Sequence, residues 1–148
     1  MHLANSIQFS NNSFLGSNYA NIKSEIIPFI EKNYRVIAKP SSRAIAGLSM
    51  GGYGAMRLAL TFPERFGAAA SFSGAVDMVD EVRFLQGERK QDWENRVGPL
   101  EQLPGSDLDL FHLMKKNASS PHKPKLYVAC GTADFLYPQH QHFIPALK

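Results

Sequence analysis

The chain has 148 residues, a length that predicts one domain spanning residues 1–148. Its 16 basic and 13 acidic side chains give a net charge of +3, and the scattered basic residues exclude the usual nucleic-acid-binding tract. There is no apolar run of about 18 residues and no signal-peptide pattern, and the single cysteine, Cys130, excludes an internal disulfide framework. We therefore expect a cytoplasmic protein with no membrane partner.

The first third of the chain changes from polar to helical and then to extended patterns. Residues 1–18 are polar and rich in Asn and Ser, which predicts a loop. From Tyr19 to Asn33 apolar residues recur at helical spacing, and Pro28 predicts a kink in this helix. Residues 34–42 form a predicted connection, and the short apolar stretch 43–46 is typical of a buried strand.

The remainder predicts alternating helices and strands. The predicted elements are a helix from Ser49 to about Thr61, a strand at 68–73, an excursion of short helices and loops at 74–120, a strand at 125–130, and a helix from Pro138 to Leu147. This order indicates an α/β protein with a parallel sheet and helices on its faces. We interpret the excursion as a wall of the substrate pocket rather than as a second domain.

The most informative stretch, Gly47–Gly51, is a Gly-x-Ser-x-Gly motif between a predicted strand and a predicted helix. In this context the motif is typical of a nucleophile elbow, a tight turn that presents Ser49 at the edge of the sheet. Glycines are needed because a Cβ atom would collide with the neighbouring strand and helix. The alternative is an ordinary Gly-rich turn that happens to contain a serine.

Asp134 is the candidate acid of a serine hydrolase triad. It follows the predicted strand at 125–130 within a Gly-containing loop, so Ser49 and Asp134 both lie at the carboxyl ends of strands, where ligands gather in parallel sheets. The order of a serine followed by an acid is that of α/β hydrolases. The alternative role for Asp134 is a helix cap. Asp77 and Asp80 are weaker candidates for the acid.

The base of the triad is not identified by the sequence. His140 and His142 follow Asp134, but both lie in the predicted terminal helix, so we interpret them as exposed helix histidines and keep them only as weak candidates. They also make a poor metal site, because positions two apart on a helix point in different directions. The other histidines precede the acid; they are His2, His112 and His122.

The oxyanion hole is half visible. The backbone N–H of Met50, the residue after the nucleophile, is the first predicted donor. A second donor normally follows an earlier strand, and no convincing strand precedes residue 43. No cofactor or metal is implied, because a nucleophile and a base would perform the chemistry.

Several segments resemble the putative-esterase family of α/β hydrolases, which includes S-formylglutathione hydrolases, tributyrin and acetyl esterases, feruloyl esterases and mycolyl transferases. The resemblance is carried by SRAIAGLSMGGYGA at 42–55, PERFGAAASFSGA at 63–75, GSDLDL at 105–110 and CGTADFL at 130–136. It implies an α/β-hydrolase-like three-layer sandwich with a mainly parallel sheet. It also implies that Ser49 is the nucleophile, Asp134 the acid and Met50 an oxyanion donor.

The resemblance implies a serine carboxylesterase that hydrolyses small acyl esters, with aryl or cinnamoyl esters included. The family places its histidine beyond residue 148 and several strands before residue 1, so the fold is expected to be incomplete. An acyltransferase, a thioesterase of the S-formylglutathione hydrolase kind and a non-catalytic remnant are the alternatives. Because an unpaired sheet edge favours association, we also expect a homo-oligomer.

Overall fold

The computed structural model describes residues 21–147, so the predicted loop at 1–18 and residues 19, 20 and 148 lie outside the described part. The chain begins with a π-helical turn, Ile22–Ile26, that runs into the first α-helix. The α-helices are α1 (Ile27–Asn33), α2 (Met50–Thr61), α3 (Met78–Val82), α4 (Gly87–Val97), α5 (Leu110–Asn117) and α6 (Tyr137–Ala146). The strands are β1 (Ala44–Leu48), β2 (Ala68–Phe72) and β3 (Lys125–Ala129).

The predicted helices and strands are confirmed, with small shifts at their ends, but the first strand is not buried as predicted, because every second residue from Ala44 to Leu48 is exposed. The first strand begins at Ala44 and continues to Leu48, because the elbow extends the backbone up to the residue before Ser49. The nucleophile helix ends at Thr61, as the proline at 63 predicts. Pro28 lies in the first turn of α1 and not in the middle of the helix. In the first turn the missing N–H of a proline breaks no α-helical hydrogen bond.

The three strands form a parallel sheet in the order β1-β2-β3. Leu48 pairs with Phe72, and Phe72 pairs with Ala129, so the strands end at the same level. The ladder extends one residue further, since Ser49 N–H donates to the Phe72 carbonyl (3.0 Å) and Ser73 N–H donates to the Ala129 carbonyl (2.8 Å). The residues that follow the strands therefore lie side by side along one edge.

The two faces of the sheet differ. On one face Ile45 and Val128 pack against the hydrophobic core, and α2 packs on β1 and β2. On the other face Leu48, Phe72 and Tyr127 are 69%, 42% and 59% exposed. The described residues therefore form a parallel sheet with helices packed on one of its faces.

The excursion at 74–120 consists of short helices, as predicted. Of these, α5 packs against α2 through the buried side chains of Leu110 and Leu113. Tyr53 of α2 is fully buried, and its hydroxyl donates a 2.8 Å hydrogen bond to the Leu108 carbonyl. Burial raises the pKa of this phenol, so Tyr53 is a neutral anchor for the excursion. Within residues 21–147 no helix is long and apolar enough to span a membrane.

Candidate active site

Ser49 occupies the turn between β1 and α2 with a strained backbone. Its dihedral angles are φ 55° and ψ −124°, a combination that non-glycine residues rarely adopt. Its carbonyl oxygen accepts hydrogen bonds from Gly52 N–H (2.9 Å) and Tyr53 N–H (3.2 Å), which fix the turn to the start of α2. Ser49 itself is exposed. The sequence prediction of a strand, a tight turn and a helix around an accessible serine is confirmed.

Glycines close to the turn are required by the space available. A Cβ atom at Gly47 would lie 2.1 Å from the carbonyl oxygen of Gly51, which is a backbone atom that cannot move away. A Cβ atom at Gly52 would lie 2.5 Å from the hydroxyl oxygen of Ser71 on β2. The first glycine lets the turn close on itself, and the second lets α2 lie directly on the sheet.

Met50 is the first residue of α2, beside the serine. The first N–H groups of an α-helix have no acceptor within the helix, and the helix dipole adds partial positive charge there. Such a terminus suits an oxygen that develops negative charge next to Ser49. The position of Met50 is that of the predicted oxyanion donor, and its role remains a prediction.

Asp134 lies in the turn between β3 and α6, half-exposed at the carboxyl edge of the sheet. Its Oδ1 accepts a 2.9 Å hydrogen bond from Leu136 N–H, and its carboxylate also interacts with the hydroxyl of Ser73. These two donors, with the Leu136 N–H the stronger, hold the pKa of the Asp134 carboxyl below its usual range. The predicted location is confirmed, and the capping alternative is not, because the N-cap of α6 is Leu136 and the Asp134 bond closes a local turn before the helix.

Ser73 was not recognised from the sequence as a site residue. It follows β2 in the middle of the sheet, so it lies between the residue after β1, Ser49, and the residue after β3, Cys130. Its φ of 42° is a positive value at a non-glycine residue, as at Ser49. A polar residue directly after a central parallel strand was the available signal, although the backbone angle has no signature in the sequence.

His140 was wrongly predicted to be exposed. Its side chain is fully buried, and its Nε2 lies 2.8 Å from the carbonyl oxygen of Gly74. Because a carbonyl oxygen only accepts, Nε2 carries the hydrogen, and Nδ1 has no hydrogen-bond partner among residues 21–147. His142, two positions further along α6, is exposed as predicted.

The other titratable residues considered for the site either stabilise local structure or lie elsewhere. Asp77 caps α3 by accepting from Asp80 N–H (3.0 Å), and Asp80 forms an ion pair with Arg83. His122 precedes β3, at the opposite edge of the sheet from Ser49. Cys130 is half-exposed, one residue beyond the end of β3, and partial burial raises the pKa of its thiol.

Metal binding finds no support in the part of the chain that the structure describes. No three His, Cys, Asp or Glu side chains of residues 21–147 form a group that could hold a metal ion. Ser49, Ser73 and Asp134 each follow one of the three strands and so lie along the carboxyl edge of the sheet. The roles of Ser49 as nucleophile and of Asp134 as acid remain predictions, and no base is evident among residues 21–147.

Comparison with known proteins identifies the family. Residues 13–142 match the family model described as "Putative esterase". An acetyl esterase of Caldicellulosiruptor saccharolyticus is 31% identical over 134 residues, which are 86% of this chain and 50% of that protein.

Two solved structures from Staphylococcus aureus, a fluorophosphonate-binding serine hydrolase and an S-formylglutathione hydrolase, superpose with TM-scores of 0.78 at 26% and 27% identity. Each comparison covers 95% of this chain and 56% of the other. The chain thus spans about half the length of the relatives it matches. The elbow, the parallel sheet and these matches together establish that the chain belongs to the putative-esterase family of α/β serine hydrolases.

Proposed function

We propose that this chain carries the nucleophile and the acid of a serine carboxylesterase that acts on small acyl esters, aryl and cinnamoyl esters included. The observation that carries the proposal is the strained, exposed Ser49 at the turn between β1 and α2, with φ 55° and ψ −124°. A backbone held in this region costs about 1–3 kcal/mol, and such strain occurs mainly at functional sites. The family of the chain supports the same reaction class.

In the proposed reaction the Ser49 hydroxyl oxygen attacks the ester carbonyl carbon while its proton passes to a base. The N–H of Met50 stabilises the negative charge on the former carbonyl oxygen, and the alcohol leaves with a proton from the base. Water then attacks the acyl-enzyme and releases the carboxylic acid. Asp134 would orient and stabilise the protonated base, for which a carboxylate with a low pKa is suited.

We infer that His140 is not this base. Its Nε2 is bound to Gly74 and its ring is fully buried, so it could reach Ser49 only by breaking that bond and leaving the core. His142 is exposed and is the described histidine that follows the acid without this constraint. Replacing His142 by Ala tests it directly, because a base supplied by it would be lost with the side chain.

A thioesterase is the second candidate. The relative described as an S-formylglutathione hydrolase shares the fold at 27% identity and suggests a thioester as an alternative to an oxygen ester. Both reactions use the same acyl-enzyme, so the elbow does not distinguish them. Hydrolysis of S-formylglutathione and of p-nitrophenyl butyrate, measured side by side, distinguishes them by the ratio of kcat/KM.

The test of the proposed nucleophile compares the wild-type chain with Ser49→Ala and with Ser119→Ala, an exposed serine in the excursion. We expect wild type and Ser119→Ala to hydrolyse p-nitrophenyl butyrate and to be labelled covalently by a fluorophosphonate, read as a mass increase. We expect Ser49→Ala to show neither hydrolysis nor labelling. Equal rates and equal labelling in all three would contradict the proposal. Labelling at Ser49 without hydrolysis would favour a non-catalytic member that keeps the elbow and lacks the base.

A further inference from the structure

A cavity of about 430 Å³ lies at the amino-terminal edge of the sheet, opposite the edge that carries Ser49. Its walls come from the ends of α2, α5 and α6 and from the loop that leads into β3. Aliphatic side chains that line it are Leu60, Met114, Leu126 and Leu147. Sites for small molecules have volumes of about 300–1,000 Å³ and mostly apolar walls, so this space has the size and the lining of a ligand site. We call it the amino-edge cavity.

Two basic side chains of the loop before β3, His122 and Lys123, also line the amino-edge cavity. Both residues are exposed, and neither forms an ion pair with another side chain of residues 21–147. Lys115 and Lys125, close to this loop in the chain, form none with the described residues either. The cavity therefore combines apolar walls with positive charge that no carboxylate of the described chain neutralises.

Hydrogen bonds hold the walls of the cavity in place. Asn117, the last residue of α5, donates from Nδ2 to the Leu60 carbonyl (2.6 Å) and to the Leu113 carbonyl (2.8 Å), which joins the ends of α5 and α2. In the loop, His122 N–H donates to the Ser120 hydroxyl at 3.2 Å. A site that is formed before its ligand arrives costs less ordering entropy on binding.

The charges around the cavity determine how an anion would lie in it. Because α2, α5 and α6 all end here, their last carbonyls place partial negative charge along one side. An anionic group is disfavoured on that side and favoured at the loop, beside Lys123. Asn117 covers the Leu60 carbonyl, so the neighbouring wall is left for apolar contact. The cavity thus has a cationic side and an apolar side.

We propose that the amino-edge cavity binds an aliphatic carboxylate, with the carboxylate against Lys123 and the hydrocarbon chain on Leu60 and Met114. One lysine with an adjacent histidine suits the single charge of a carboxylate. Among the described residues that line the cavity none is Phe, Tyr or Trp, so the walls offer aliphatic contact and not aromatic stacking. The site lies at the far edge of the sheet from Ser49 and does not depend on the proposed hydrolysis.

The experiment titrates octanoate into the full chain and follows methyl and amide signals by NMR. Leu60 and Met114 report the amino-edge cavity, whereas Met50 N–H reports the candidate active site, where an esterase could hold the same acid as a product. Tyr127 reports the exposed face of the sheet, which is a second apolar surface. Octanol has the same chain without the charge, and butyrate has the charge with a shorter chain.

We expect saturable shifts of Leu60 and Met114 with octanoate. Butyrate should bind at least about ten-fold more weakly, because less apolar surface leaves water. Lys123→Gln should weaken octanoate binding by about two- to five-fold and leave octanol binding unchanged, since an exposed charge pair has about this strength. Lys32→Gln is the matched control, because it removes the same charge from an exposed position on α1 and should change neither affinity.

A second variant, Ala146→Phe, tests the apolar side. Ala146 is exposed and lines the cavity, so the larger side chain occupies space there, and binding of octanoate and octanol should fall together. If this variant does not fold by circular dichroism, Lys123→Gln decides alone. Octanoate shifts confined to Met50 or Tyr127, equal octanoate affinities of wild type and Lys123→Gln, or octanol binding as tight as that of octanoate would overturn the proposal.

Discussion

The backbone N–H of Ser49 donates a 3.0 Å hydrogen bond to the carbonyl oxygen of Phe72, the last residue of the neighbouring strand. The candidate nucleophile is thus held by the sheet on one side and by the first turn of α2 on the other. Because both supports are backbone hydrogen bonds, its position depends on the fold more than on any neighbouring side chain.

Replacing Gly47 by Ala should destabilise the chain by about 1–3 kcal/mol, since the new methyl group would lie 2.1 Å from the Gly51 carbonyl and the turn would have to open. Urea unfolding followed by circular dichroism measures the change. Gly131→Ala is the matched control, because no atom lies within 4 Å of its Cβ position, and a change below about 0.5 kcal/mol is expected there. Equal stabilities of the two variants would contradict the steric explanation.

Phe143 is fully buried, and its ring meets that of Phe111 edge-to-face at 5.5 Å. Phe143→Ala should therefore cost about 3–5 kcal/mol of unfolding free energy, through lost burial and the cavity left behind. The same substitution at Phe135, which is 83% exposed, should change stability by less than about 0.5 kcal/mol. Thermal unfolding of both variants provides the comparison, and a tolerant Phe143 would mean that α6 does not pack on α5 as described.

Asp109 caps α5. Its Oδ1 accepts from the N–H groups of Phe111 (2.9 Å) and His112 (3.2 Å). Asp109→Ala should cost about 0.5–2 kcal/mol of unfolding free energy. Asp107→Ala removes an exposed ion pair with Lys116 and should cost less than about 1 kcal/mol. Urea titrations of the two variants decide the matter, and a larger loss at Asp107 would count against the capping role.

Asp134 should make stability depend on pH in the acid range. Its pKa is lower in the folded chain than in the unfolded chain, so its carboxylate stabilises the fold above the unfolded pKa, and this contribution disappears as the pH falls through the folded pKa. The difference in unfolding free energy between wild type and Asp134→Asn should therefore shrink as the pH is lowered below about 4. A difference that stays constant from neutral to acid pH would show that the carboxylate gains nothing on folding.

The elbow and the parallel sheet could be predicted because their causes are local. A run of small and apolar residues, a turn that tolerates only glycine at Gly47, and a proline after the helix each leave a trace in the sequence. The location of Asp134 followed from the same reasoning, since the end of a strand in a parallel sheet is an edge position.

The burial of His140 could not be predicted in this way. Its partner, the carbonyl of Gly74, belongs to a distant part of the chain, and a backbone carbonyl has no signature in the sequence. The neighbours of His140 on α6 are Gln139 and Gln141, one buried and one exposed, so polarity did not mark the inner face of the helix. The geometry of Ser73 was also missed, because a positive φ at a non-glycine residue has no signature in the sequence.

The pairing of the strands has a consequence for the order in which the site is built. Ala44 pairs with Ala68, close by in the chain, whereas Ala68 also pairs with Lys125, on the far side of the excursion. Contacts between distant residues carry the larger loop-closure entropy and form later. During synthesis from the N-terminus, β1, α2 and β2 are complete long before β3 emerges. We therefore expect the turn with Ser49 to form first, and Asp134 to join it only in the last step of folding.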